Sequence, residues 1–258
     1  MSEFKSWRSY QDFRLETERF SRYIFAPSVQ EFLDTVLGTI KSREKKVAQG
    51  SIFWRSQLGN EWSPIDQNNE HLGDEPCPFP PDRMKPHPHT SSEGRANPKG
   101  IPYLYLATDK DTAMAEVRPW IGSLISVGQF KITKNIKLVD CSVFHGKNFI
   151  FYFREPSAEE KEEAVWSDID WAFSNPVTPS DDVAEYIPTQ ILAELFKKNG
   201  FDGIAYKSNL GDGHNVVLFD LNVAELVNCF LYKTDKIKFT FKETANPYFI
   251  KRKEDTKN

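Results

Sequence analysis

The chain has 258 residues and a formal net charge of −4, and hydrophobic residues make up 39% of it. This balance predicts either one large domain or one domain with an appendage, and it excludes a broad basic surface for nucleic-acid phosphates. Three widely spaced cysteines without a CxxC pair exclude a zinc ribbon and a disulfide framework. No stretch is apolar enough for a secretory signal or a membrane span, so we expect a cytoplasmic, reduced protein.

The N-terminal region, residues 1–49, predicts a helical extension. Apolar residues recur at three- and four-residue spacing over residues 29–40, and several rings before them form a further apolar face. We expect this face to pack on the domain behind it. Residues 50–57 then predict an internal strand, in which Arg55 follows Ile-Phe-Trp.

A proline-rich insertion follows at about residues 58–92. Eight of the sixteen prolines lie between Pro76 and Pro102, a density that no helix or central strand accommodates. A long irregular stretch of this kind is typical of a lid or a binding loop. The insertion carries three histidines and one cysteine, but their spacing matches no closed zinc site, so we predict no bound metal.

The rest of the chain alternates strands with helices. Strands are predicted at residues 103–107, 124–132, 136–143, 201–208 and 215–220, and helices after Thr108 and at residues 157–173 and 188–199. The last eight residues, 251–258, predict a flexible charged tail.

Four polar residues interrupt patterns that otherwise require apolar or small residues. Arg55 ends an apolar strand, and Arg95 lies between a glycine and a proline turn. Glu116 lies on a helix of small residues, and Ser208 closes a strand. Tyr105 lies in the apolar run just before the Glu116 helix. One such residue is commonly a satisfied ion pair or a core residue, but several beside turns predict a shared cleft.

These residues lie in blocks that resemble the RES domain family, which is named for Arg, Glu and Ser. The central block is GRANPKGIPYLYLATDKDTAMAEVR, the closing blocks are FDGIAYKS and GHNVVLF, and FWRSQ resembles the opening strand. The resemblance covers about residues 50–222. It implies an α+β fold similar to that of ADP-ribosyltransferases, with a mixed, mostly antiparallel split sheet and flanking helices. We therefore expect residues 50–250 to form a RES domain.

The resemblance also implies an enzyme that degrades NAD by cleaving its nicotinamide–ribose bond. The acceptor is phosphate, which gives nicotinamide and ADP-ribose 1''-phosphate, or water. Many RES proteins are toxins of toxin–antitoxin pairs, so NAD and a cognate antitoxin are the partners that this resemblance suggests. The resemblance thus implies NAD as the substrate, inorganic phosphate as the co-substrate only where phosphate rather than water is the acceptor, and no cofactor. Whether the chain forms a homo-oligomer stays open.

The chemistry of this bond cleavage assigns a role to each candidate residue. The pyrophosphate of NAD requires cations in a fork geometry, which Arg55 and Arg95 offer. Positive charge builds on the ribose, and Glu116 is the carboxylate expected to stabilise it, with Arg55 as the second catalytic residue. A ring such as Tyr105 can stack on nicotinamide.

Two polar residues complete the expected substrate contacts. Ser208, with Asn215 on the following strand, is expected to hydrogen-bond phosphate or ribose. Two other functions stay open on the sequence alone. One is transfer of ADP-ribose to a macromolecule, and the other is a non-catalytic nucleotide-binding module, for which the lone Glu116 has little use.

Overall fold

The computed structural model describes residues 3–68, 70–87, 90–147, 149, 151, 154–175, 183–241 and 243. Its α-helices in these residues are α1 (Ser9–Arg19), α2 (Pro27–Thr39), α3 (Lys110–Glu116), α4 (Ala158–Ser174) and α5 (Ile187–Lys198). Its strands are β1 (Glu44–Val47), β2 (Ile52–Leu58), β3 (Glu61–Gln67), β4 (Glu70–Cys77), β5 (Leu104–Ala107), β6 (Leu124–Ile132), β7 (Ile136–Asp140), β8 (Gly203–Lys207), β9 (His214–Leu218) and β10 (Ala224–Lys233). The predicted tail at 251–258 lies outside the described residues.

Eight strands form one sheet in the order β1-β7-β8-β9-β5-β2-β6-β10. Every neighbouring pair is antiparallel except β7 with β8, so the prediction of a mixed, mostly antiparallel sheet with flanking helices is confirmed. Strands β5 and β2 are joined through a single residue pair, Trp54 with Ala107. The sheet is therefore split at this place into a five-stranded and a three-stranded part.

The core consists of two apolar clusters on the two faces of the sheet. Because side chains alternate along a strand, Ile204 and Tyr206 of β8 face one cluster and Ala205 faces the other. Helices α1, α2, α4 and α5 contribute to the first cluster, around the fully buried Trp166. Phe79, from the loop after β4, packs into the second cluster.

The N-terminal extension is part of this fold. Phe4, Tyr10 and Phe13 are buried in the first cluster, which confirms that the aromatic face packs on the domain. Phe20, however, is 74% exposed and does not take part. The prediction that the extension is wholly helical is wrong for residues 44–47, which form the edge strand β1. Its lysines stay exposed, and the segment pairs along the open edge of β7.

The proline-rich insertion contains a hairpin, β3 with β4, that forms its own two-stranded sheet. The prediction of irregular chain is therefore wrong for residues 61–67 and 70–77. Pro64 pairs with Asp74 and Pro76 pairs with Trp62. Each strand of a two-stranded sheet has a free edge, and a proline is tolerated there because no N–H is needed on that side.

The remaining elements follow the predicted order closely. Helices α4 and α5 begin and end within a residue of the predicted bounds. Strand β10, which was not predicted, pairs along its length with β6 and closes the three-stranded part of the sheet. No helix in the described part of the chain is long and apolar enough to cross a membrane.

Candidate active site at the split of the sheet

A cavity of about 310 Å³ lies where β5 and β2 separate, and we call it the split cavity. Four of the predicted site residues line it, although they come from four different elements. These residues are Arg55, Tyr105, Glu116 and Asn215, and further lining residues are Trp54, Ser56, Leu106, Ala107, Ala113, Val117 and Tyr206. The structure thus brings most of the predicted site together at the one place where the sheet is open.

Helix α3 carries Glu116 at its last position. Asp109 caps its start by accepting a hydrogen bond from the backbone N–H of Thr112 at 2.8 Å. The loop between β8 and β9 packs against this first turn, and a Cβ on Gly213 would lie only 1.8 Å from Oδ2 of Asp109. Glycine is therefore required at this contact, and the contact brings both ends of the loop to Glu116.

Two donors hold the carboxylate of Glu116. Its Oε1 accepts from Oγ of Ser208 at 2.6 Å and from Nδ2 of Asn215 at 2.7 Å. Ser208 is 3% exposed, and its Oγ also accepts from the backbone N–H groups of Leu210 and Gly211. The structure thus directs Ser208 and Asn215 at Glu116, and both hydrogen bonds strengthen with its negative charge.

Arg55 lies on β2, opposite Gly128 of β6. Its Nη1 donates to the backbone carbonyl of Tyr105 at 3.1 Å, while its buried Nε has no hydrogen-bond partner among the described residues. Burial lowers the pKa of Arg55 to about 10, and no ion pair offsets this effect within the residues that the structure describes. A buried cation without a counter-ion attracts an anion from solution.

Tyr105 connects the split cavity with the Gly-Arg-Ala-Asn turn. Its Oη donates to Oδ1 of Asn97 at 2.7 Å and accepts from the backbone N–H of Ala96 at 3.1 Å. Burial raises the pKa of this phenol. A Cβ on Gly94 would lie 2.7 Å from the same oxygen, so the turn approaches Tyr105 as closely as glycine permits. Tyr105 therefore positions the turn that carries Arg95.

Arg95 lies on the other side of Glu116. Its Nη1 donates to the carbonyl of Phe173 at 2.5 Å, and its own carbonyl accepts from Oγ1 of Thr189 at 2.6 Å. A narrow cavity of about 40 Å³, which we call the neck, lies here. Its lining consists of Arg95, Glu116, Arg118, Ser174, Tyr206, Asn209, Leu210 and Asn215. Glu116 thus faces two adjoining cavities that contain different arginines.

Arg118 is a lining residue that the sequence analysis did not identify. It follows α3 with a φ of 49°, a left-handed conformation that is uncommon for a residue with a side chain. Backbone strain of this kind often occurs at functional sites. No local pattern in the sequence indicated this conformation, because a residue before proline is usually extended.

The predicted absence of a metal concerned the histidines and the cysteine of the insertion. Nδ1 of His71 lies 3.3 Å from Asp66, and His89 lies outside the described residues. No group of three or more His, Cys, Asp or Glu side chains suited to a metal is found in the part of the chain that the structure describes.

Comparison with known proteins identifies the family. The model of the RES domain matches residues 77–242, which is more than half of the chain and begins after Arg55. None of the curated proteins compared with the chain matches it. A solved structure of the M. tuberculosis MbcT–MbcA toxin–antitoxin complex is remotely similar, with 12% identity, a TM-score of 0.41, and coverage of 77% of this chain and 92% of that chain. On the strength of the sequence match, this chain belongs to the RES domain family.

Proposed function

We propose that this protein degrades NAD by cleaving the nicotinamide–ribose bond, with inorganic phosphate as the acceptor. The observation that carries the proposal is the Glu116 carboxylate, which Ser208 and Asn215 hold at the junction of two cavities that each contain arginine. A single held carboxylate between cations suits a reaction that develops positive charge on a sugar attached to phosphates.

Glu116 stabilises the ribose as the bond breaks. The electron pair of the C–N bond leaves with nicotinamide, which departs as a neutral molecule, and the ribose gains oxocarbenium character. Among the described residues, both hydrogen bonds that Glu116 accepts go to its Oε1, so Oε2 is the oxygen that we assign to a ribose hydroxyl. The fixed negative charge is present before the reaction begins and needs no rearrangement.

Arg55 selects the acceptor in this proposal. A phosphate dianion beside its unpaired Nε satisfies the buried guanidinium, whereas a water molecule leaves the charge uncompensated. One phosphate oxygen then forms the new C–O bond to the ribose carbon, and the products are nicotinamide and ADP-ribose 1''-phosphate. Tyr105, in the same cavity, is the ring that we propose stacks on nicotinamide.

Membership of the RES domain family supports a biological role as well. We propose that the protein is a toxin which depletes NAD and that a cognate antitoxin restrains it. Expression of the wild-type protein is expected to stop growth, and Glu116→Gln is expected to relieve this arrest. Growth arrest by the Gln variant would contradict a toxicity based on NAD.

Product analysis tests the activity itself. Purified protein is incubated with NAD, with and without inorganic phosphate, and nicotinamide and the ADP-ribose product are quantified. We expect phosphate to accelerate nicotinamide release and to appear in the product, and Glu116→Gln to lower the rate about 10³-fold. Glu194→Gln, which replaces an exposed carboxylate on α5, is the matched control and keeps full activity.

Three outcomes would overturn parts of this proposal. Intact NAD in the wild-type reaction would refute the activity, and ADP-ribose as the sole product at any phosphate concentration would show hydrolysis. Label from NAD on a protein or nucleic acid would instead show transfer to a macromolecule.

A further inference from the structure

A third cavity, of about 600 Å³, lies between α1 and α4, and we call it the helix cavity. It shares Ser174 and Asn209 with the neck, and the neck shares Glu116 with the split cavity. The three cavities therefore adjoin one another, and Glu116 lies where the split cavity meets the neck. A further cavity of about 300 Å³, between α1 and α2, shares no lining residue with this series.

The helix cavity is lined by one face of α4, by residues of the N-terminal extension, and by His145, Gly146, Lys147 and Phe149. Helix α4 contributes Ala164, Ser167, Asp168, Trp171 and Ser174, whose spacing of three and four residues places them on one face. This face ends at Ser174, beside the neck. The opposite wall is formed by Trp7, Gln11 and Arg14, which belong to the N-terminal extension. The extension therefore completes a cavity that the RES match, residues 77–242, does not contain by itself.

The helix cavity combines an aromatic surface with carboxylate groups. The side chain of Trp171 is 53% exposed, although it lines the cavity. Oδ2 of Asp168, one turn earlier on α4, accepts from Nε2 of Gln11 at 3.2 Å. His145 is held through Nδ1 by Asp170 at 2.6 Å, and Asp170 is 2% exposed. A flat ring beside an oriented carboxylate is suited to a base that stacks and a ribose whose hydroxyls donate.

We propose that the helix cavity binds the adenosine half of NAD. The proposal rests on the proposed function and names the part of the substrate that this function leaves unplaced. Nicotinamide and its ribose then occupy the split cavity, and the pyrophosphate crosses the neck between Arg95 and Arg118. Adenine stacks on Trp171, and Asp168 accepts from a hydroxyl of the adenosine ribose.

The neck is too narrow for a pyrophosphate as it stands. Its volume is about 40 Å³, and Nδ2 of Asn209 donates across it to the carbonyl of Ser174 at 2.9 Å. Binding of the dinucleotide therefore requires the Asn209 side chain to swing out. The same amide then faces the phosphates, to which it can donate.

Comparison of two substrates tests the proposal. Nicotinamide mononucleotide contains the bond to be cleaved but lacks adenosine, so it does not reach the helix cavity. For Trp171→Ala we expect the KM for NAD to rise about tenfold, the effect of removing one stacking surface, and the KM for the mononucleotide to change less than twofold. Trp62→Ala, which removes a similarly exposed tryptophan from β3, is the control and changes neither value.

Binding of ADP-ribose, measured by calorimetry, separates this proposal from the proposed function. An about tenfold weaker binding to Trp171→Ala than to wild type supports the helix cavity even if NAD stays intact. Equal binding to both proteins, or no binding to wild type, overturns the proposal even if NAD is degraded. Equal changes of KM for both substrates would also overturn it, because they would show a general disturbance of the site.

Discussion

Glu116 and Arg55 lie in the same cavity, but the protein holds them in opposite ways. Two side chains donate to the carboxylate of Glu116, and one of them, Ser208, is itself held by two backbone N–H groups. Within the part of the chain that the structure describes, Arg55 has one hydrogen bond, to the carbonyl of Tyr105, and its buried Nε has no partner.

The fold therefore orients the carboxylate of Glu116. It leaves the Nε of Arg55 without a hydrogen-bond partner in the described part of the chain, and we call Arg55 the incomplete group. The held carboxylate has a defined direction before any ligand arrives, as electrostatic stabilisation of a cationic sugar requires. The buried arginine costs stability until an anion binds beside it. We therefore expect the two groups to have different tasks, and substitutions test this expectation.

Replacement of the incomplete group is expected to have the largest of three effects. Arg55→Met removes the cation while it keeps much of the side-chain volume, and we expect kcat/KM with phosphate as acceptor to fall about 100-fold. Because burial lowers the pKa of Arg55 to about 10, the charge destabilises the fold at every pH below that value. The cost disappears as the pH rises through 10 towards the pKa of the unfolded chain. At neutral pH the Met variant should therefore melt at a higher temperature than wild type.

Thermal melts with inorganic phosphate complete this test. Phosphate is expected to raise the Tm of the wild-type protein, because it binds the folded chain, and to leave the Tm of Arg55→Met unchanged. A lower Tm of the Met variant without phosphate would show that Arg55 supports the fold, contrary to its description as an incomplete group.

Removal of one donor to Glu116 is expected to have an intermediate effect. Asn215→Ala leaves the carboxylate with the Ser208 hydrogen bond alone, and we expect kcat to fall about tenfold with little change in KM. Ser208→Ala should lower kcat similarly, and it should also lower the Tm because the N–H groups of Leu210 and Gly211 lose their acceptor. A rise in KM without a change in kcat would indicate direct contact with substrate, as the sequence first suggested.

Loss of the Tyr105 hydroxyl is expected to have the smallest effect. Tyr105→Phe keeps the ring in the split cavity but removes the hydrogen bonds to Asn97 and Ala96. We expect a loss of about 1 kcal/mol in the free energy of unfolding, or 2–4 °C in Tm, and less than a threefold change in kcat/KM. If Tyr105→Phe lowered kcat/KM as much as Arg55→Met does, the position of the Arg95 turn would matter as much for activity as the Arg55 cation.

The sequence allowed most of the split cavity to be predicted because its residues lie in short local patterns. Glu116 follows a capped helix start, and Ser208 and Asn215 flank a glycine turn between two apolar strands. These residues come together because β9, β5 and β2 are neighbours in the sheet, and because the turn between β8 and β9 packs against α3. The contact of Ser208 with Glu116, by contrast, depends on the close packing at Gly213, which no local pattern reveals.

Other parts of the molecule could not be predicted for physical reasons that differ from one another. The hairpin of β3 and β4 contains prolines, and the sequence does not show that each strand has a free edge. The helix cavity depends on the packing of α1 against α4, between residues about 160 positions apart, such as Gln11 and Asp168. The left-handed backbone of Arg118 is a property of its exit from α3 and has no compositional signature.

Because β5 and β2 are joined through a single residue pair, the opening between them exposes backbone groups that most substitutions do not remove. Along the rest of this opening, the backbone N–H and C=O groups of the two strands do not pair with each other, and the carbonyl of Tyr105 already serves Arg55. Such groups persist through every side-chain replacement except proline. For a ligand that hydrogen-bonds to these backbone groups, we therefore expect side-chain replacements to leave that part of the binding energy unchanged.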